Sequence, residues 1–159
     1  MKDIQPSIQN LAPKKLIGLS LSMSVAQNQT GKLWSQFSPR IKEISNRVTE
    51  EKISLQIYPP SYFTRFNPSI EFTKWALVET NTLNDIPEGL QPFLLEGGLY
   101  AVFVYRGSSA DSSIFQYIFG EWLPNSQYQL DDRPHFEILG PNYKNNDPNS
   151  EEEIWIPIK

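Results

Sequence analysis

Apolar and polar residues alternate in several stretches of the chain, and each such stretch predicts a strand. Residues 3–24 hold two of them, IQPSIQNL and KKLIGLSLSMS, broken by Ala12-Pro13. The second sets Leu19, Leu21 and Met23 on one face and Ser20, Ser22 and Ser24 on the other. ISLQIYPP (53–60) alternates in the same way, with Ile53, Leu55 and Ile57 opposite Ser54, Gln56 and Tyr58. A proline-rich irregular stretch follows it, and then FTKWALVET (72–80) reads as the next strand. Beyond the loop NDIPEGL come a short strand, FLLEG, the punctuation of Gly97-Gly98, and the long strand GLYAVFVYRG. HFEILG and EEIWIPI complete the set.

Between these lie two stretches with helical spacing. KLWSQFSPRIKEISNRV (32–48) repeats Leu33, Phe37, Ile41 and Ile44 at helical intervals, with Thr30 as the expected N-cap. Pro39 falls inside it and predicts two helical pieces or a kink. SSIFQYIFGEWLP (112–124) is the second helix. Read in order, the chain runs strand, helix, strand, strand and then repeats that order, without repeating its residues. We therefore expect one α+β domain over 1–159: two duplicated strand-helix-strand-strand halves forming an antiparallel sheet, with a central ligand cleft where they join.

Composition narrows the function. The 159 residues carry a net charge of −4 and no run of Lys or Arg, which disfavours a nucleic-acid surface. There is no cysteine, so disulfides, zinc-thiolate sites and thiol nucleophiles are excluded. One histidine, His135, rules out a His-cluster metal site, and no metal or cofactor is expected. No stretch of about 18 apolar residues predicts a membrane span, and the N-terminus lacks a signal peptide, so the expected location is the cytoplasm.

The candidate chemistry centres on Glu137, an acid set among apolar strand residues. Burying an unpaired carboxylate costs several kcal/mol, so its position needs a reason. A basic ligand is one; a solvent-facing position or a structural arginine is another. His135 shares its face, as a surface histidine near a turn on one reading or a partner on the other, although no Ser or Cys nucleophile motif accompanies the pair. Trp155 lies opposite Ile154, Ile156 and Ile158, as a cleft residue or an edge residue. Tyr58 and Trp75 stand in the same relation to the first half, with sheet packing as the alternative. Phe37 suits the core first and a ligand wall second. The acid runs Asp131-Asp132 and Glu151-Glu152-Glu153 read as solvated turns without calcium-loop spacing.

The ordered set LYAVFVYRG, a helix ending in EWLP, DDRPHFEILG and an acidic turn into EIWIPI resembles the GyrI-like small-molecule-binding family, related to the effector-binding domains of AraC-type and MerR-type bacterial multidrug regulators. The resemblance implies a duplicated strand-helix-strand-strand fold. It also implies a cleft for hydrophobic, often cationic compounds, with Glu137 as the buried acid and Trp155, Tyr58, Trp75 and Phe37 as its aromatic surroundings. The regulators carry an N-terminal helix-turn-helix module, and this chain starts directly on the ligand region, so no direct nucleic-acid binding is expected. The leading expectation is a stand-alone binding domain. The alternatives are a hydrolase of strained-ring (cyclopropanoid) toxins, with Glu137 catalytic, and a protein-interaction module such as a gyrase inhibitor. Ligand identity and oligomeric state are left open.

Overall fold

The computed structural model describes residues 4–159. Eight strands follow one another as β1 (Ser7–Leu11), β2 (Lys14–Met23), β3 (Lys52–Ile57), β4 (Phe72–Thr80), β5 (Gln91–Leu95), β6 (Gly98–Arg106), β7 (His135–Leu139) and β8 (Glu151–Pro157). Helix α1 (Thr30–Phe37) lies between β2 and β3, and α2 (Ser113–Tyr117) between β6 and β7. The expected break at Pro39 is present: α1 gives way to a 3₁₀ segment, Ser38–Glu43, with the proline in its first turn. Thr30 opens α1 rather than capping it. Its N–H donates to Asn28 Oδ1 at 2.9 Å, while Gln29 takes the cap position. Helix α2 continues through a wide π turn, Ile118–Trp122, into a short α turn, Leu123–Asn125.

All eight strands join one sheet in the order β1-β6-β8-β7-β3-β4-β2-β5, with every pairing antiparallel. The fold is α+β, mostly antiparallel sheet with helices. The order shows how the halves are joined. Strands β2, β3 and β4 with α1 form one unit, β6, β7 and β8 with α2 the other, and β7 pairs with β3 at the middle. Strands β1 and β5 are exchanged: each precedes one unit in the chain and pairs at the edge of the other. Their turns meet, and a Cβ at Gly97, whose φ is +87°, would clash with the Leu11 carbonyl oxygen.

Both faces of the sheet are buried, for different reasons. Under α1, Leu33 and Phe37 pack on Ile17, Ala76 and Val78; under α2, Ile114 and Ile118 pack on Ala101, Phe103, Ile154 and Ile156. No helix contributes to the core of the other face, yet Leu55, Leu77, Tyr100 and Phe136 there are fully buried. That core is built from strand residues, so the sheet curls over it, as strand twist allows, with Arg133 adding cover over Tyr100. Alternation alone does not distinguish this arrangement, with a hydrophobic core on each face, from a sheet with one core face.

Candidate functional site

Cross-strand pairing fixes what lies on the helix-bearing face between α1 and α2. One row runs Leu19, Ala76, Ser54, Glu137, Ile154, Phe103; the next runs Leu21, Lys74, Gln56, His135. The ends of these rows lie in the two halves that carry the helices. The middle, on β3 and β7, carries Ser54, Gln56, His135 and Glu137, a polar strip in an otherwise apolar layer.

Glu137 is half-buried, and Gln56 Nε2 donates to its Oε1 at 3.2 Å. Among the described residues no lysine or arginine forms an ion pair with it. Arg133, the arginine nearest along the chain, is engaged elsewhere. Its Nε donates to Asp131 at 2.6 Å, its other nitrogens donate to the carbonyls of Gly97, Leu99 and Ile158, and it lies over the Tyr100 ring. Burial raises the Glu137 carboxyl above its usual range, and the Lys74 ammonium and the Gln56 hydrogen bond pull it back.

Glu152 on β8 joins this site. It pairs with Tyr105, two residues from the Ile154 that opposes Glu137, so the two acids are diagonal neighbours on one face. Burial, reinforced by the Glu137 charge, pushes its carboxyl up to about 7. The Tyr143 phenol is raised by burial, with both acids adding to the shift. Lys74 is lowered by burial, and both acids work against that.

One side of the strip is covered by rings. Tyr58 sits edge-on to His135 at 4.9 Å, and Phe63 stacks on His135 at 5.2 Å and on Phe119 at 4.7 Å. Tyr62 and Phe72 pack on Tyr58. His135 is thus buried rather than a surface residue, and desolvation with the Arg133 charge pushes its pKa down to about 3. The irregular stretch between β3 and β4 supplies most of these rings. Glu137 lines neither of two shallow depressions, but the one of about 200 Å³ reaches Glu152 and is otherwise lined by Glu51, Val104, Ile138, Pro141 and Glu153, among others.

The model of the GyrI-like small molecule binding domain matches residues 4–159. The chain belongs to the GyrI-like family. Among curated proteins, none matches it. Solved structures of the same fold include SAV2435 bound to tetraphenylphosphonium, at 18% identity and TM-score 0.67, with 98% of this chain and 94% of that one covered. The EcmrR C-terminal domain superposes with TM-score 0.73 at 12% identity over 99% and 98% of the two chains. A hydrolase from Listeria innocua does so with TM-score 0.63 at 9% identity over 98% and 92%. At such identities the likeness is one of fold.

In this GyrI-like domain, the five residues expected to share a site are divided by the sheet. Glu137 and Tyr58 come together: the Glu137 charge adds to the shift that burial imposes on the Tyr58 phenol. Trp155 and Trp75 lie on the opposite face. Trp155 stacks on Phe136 with ring centroids 5.2 Å apart, Trp75 is edge-on to Phe93, and both belong to the core that the curled sheet encloses. Phe37, the last residue of α1, is fully buried between that helix and the sheet. The acid run also divides. Glu151 pairs with Arg106, Glu153 accepts from the Trp155 indole at 3.0 Å, and Glu152 alone faces Glu137. Lys74, Gln56, Glu152, Tyr143 and Phe63 were not anticipated. The signal for Lys74 is a charge beside the apolar run Trp75–Val78, as for Glu137 among its apolar neighbours. Among the described residues there is no group of acids and histidine fit to hold a metal, and no helix long and apolar enough to cross a membrane.

Proposed function

We propose that this GyrI-like domain captures an amphipathic cation on the helix-bearing face, with Glu137 as counter-ion and Tyr58, Phe63 and Phe119 as its aromatic surroundings. The observation that carries this reading is the state of Glu137: a half-buried carboxylate between two helices, with one amide hydrogen bond and no ion pair among the described residues. An acid held this way gains most from a ligand that brings a positive charge and little water, and a delocalised or quaternary cation does so. Nearby rings add cation–π attraction of about 0.5–2 kcal/mol. The SAV2435 neighbour holds such a cation, tetraphenylphosphonium.

Calorimetric titration with tetraphenylphosphonium tests the reading. Glu137→Gln keeps shape and removes charge, and we expect it to weaken binding about thirtyfold or more, the usual consequence of losing a buried charge partner. Equal affinity in the variant would sink the assignment. Recovery of a chemically altered ligand is the outcome that would favour a hydrolase, with Glu137 as its acid or base.

A further inference from the structure

We infer that Glu152 and Lys74 together set the charge number of the ligand. Glu152 adds a second carboxylate to the Glu137 site, Lys74 offsets one of the two, and the site therefore takes a monocation in preference to a dication of the same length. This rests on the reading of Glu137 as a ligand counter-ion and deepens it.

The placement of three side chains supports it. Glu152 lies diagonally across from Glu137 on the neighbouring strand, on the same face. Lys74 is opposite Gln56, the residue that donates to Glu137, so its ammonium enters the site from the other half of the sheet. Lys74 stands out as a half-buried cation that has no hydrogen bond or ion pair among the described residues, while its charge acts on both acids. The remaining polar groups on this face change no charge near neutrality: Ser54 and Gln56 on β3, Tyr58, Tyr105 and Tyr143, and the neutral His135. Lys52 shares the face at the outer end of β3, opposite Leu139.

The charge count then decides specificity. At pH 8, above the point at which the Glu152 carboxyl gives up its proton, two ionised carboxylates and one ammonium leave a single negative charge. One cationic head closes that deficit. A second head would leave an excess positive charge beside Lys74 in a partly desolvated site, where like charges repel strongly. Removing the lysine charge leaves a deficit that matches a dication.

Decyltrimethylammonium and decamethonium carry one and two quaternary heads on the same alkyl chain, and calorimetry with this pair at pH 8, where Glu152 is ionised, tests the inference. Wild-type protein is expected to favour the single-headed compound. In Lys74→Met and in Lys74→Gln, decamethonium should gain about tenfold or more relative to decyltrimethylammonium. The Gln variant separates loss of charge from gain of apolar surface. Adding Glu152→Gln to Lys74→Gln should restore the original preference. An unchanged preference ratio in both lysine variants overturns this inference. If decyltrimethylammonium binding still depends on Glu137, the underlying site survives that result. Failure of wild type to bind either compound overturns both.

Discussion

Phe136→Ala is expected to lower the unfolding free energy by about 3–5 kcal/mol, the upper range for truncating a buried aromatic residue. Phe136 is fully buried on β7, the strand through which one half of the sheet meets the other. Its ring stacks on Trp155 at 5.2 Å and meets Tyr100 edge-on at 5.2 Å, and Leu55 lies across the strand pair. All three neighbours are held by the curled sheet, so little can move to fill the void. Denaturant unfolding should show a lower midpoint with an unchanged slope. Leu94→Ala, on the exposed edge strand β5 with 59% of its surface accessible, should change stability by no more than about 0.5 kcal/mol. A loss at Phe136 no larger than at Leu94 would contradict the core described here.

Glu152→Gln should act in the opposite direction and make the protein more stable at pH 8. Burial and the Glu137 charge raise the Glu152 carboxyl from 4.5 to about 7. Between those values the folded protein keeps a proton that the unfolded chain has released, so stability falls as pH rises through the window. Above it, the folded state holds a carboxylate that it disfavours. The full shift would correspond to about 3 kcal/mol, and partial solvent access to the group reduces the expectation to about 1–2 kcal/mol. His135 opposes this trend at lower pH. Its pKa falls from 6.5 to about 3, so its contribution is present above 6.5 and is lost as pH falls towards 3. The difference between wild type and Glu152→Gln isolates the carboxyl: it should be largest at pH 8 and vanish near pH 4. A variant less stable than wild type at pH 8 would show that Glu152 is a structural residue and not a ligand-facing acid. An acid that weakens its own fold is a familiar feature of binding sites.

Much of the architecture was legible because it is local. The sequence reads 72–80 as a strand where the structure has Phe72–Thr80, and Pro39 marks the change from α-helix to 3₁₀. The period of two put His135 and Glu137 on one face, where they are. Strand exchange was not legible: β1 and β5 read as strands, but nothing within eleven or so residues says that each pairs with the other half. Register was not legible either, and register brings Lys74, Gln56 and Glu152 to Glu137.

The tryptophans show the same limit more sharply. Trp155 and Trp75 looked like cleft residues because they stand opposite one apolar face, and the usual sheet has only one. This sheet curls and buries both. Their indoles therefore serve a second core, while most of the rings over the polar strip come from the irregular 58–71 stretch, which has no period to read.

The central claim is that a cation is held at Glu137 between the two helices. The most direct measurement is a carbon-13 and proton NMR titration of labelled protein with tetraphenylphosphonium, following carboxyl and ring signals together. Our account predicts that the Glu137 and Glu152 carboxyls and the Tyr58, Phe63 and Phe119 rings shift together and saturate, while Trp155 and Trp75 stay in place. Saturating shifts at Trp155 and Trp75 with a silent Glu137 would place the ligand on the other face and contradict it.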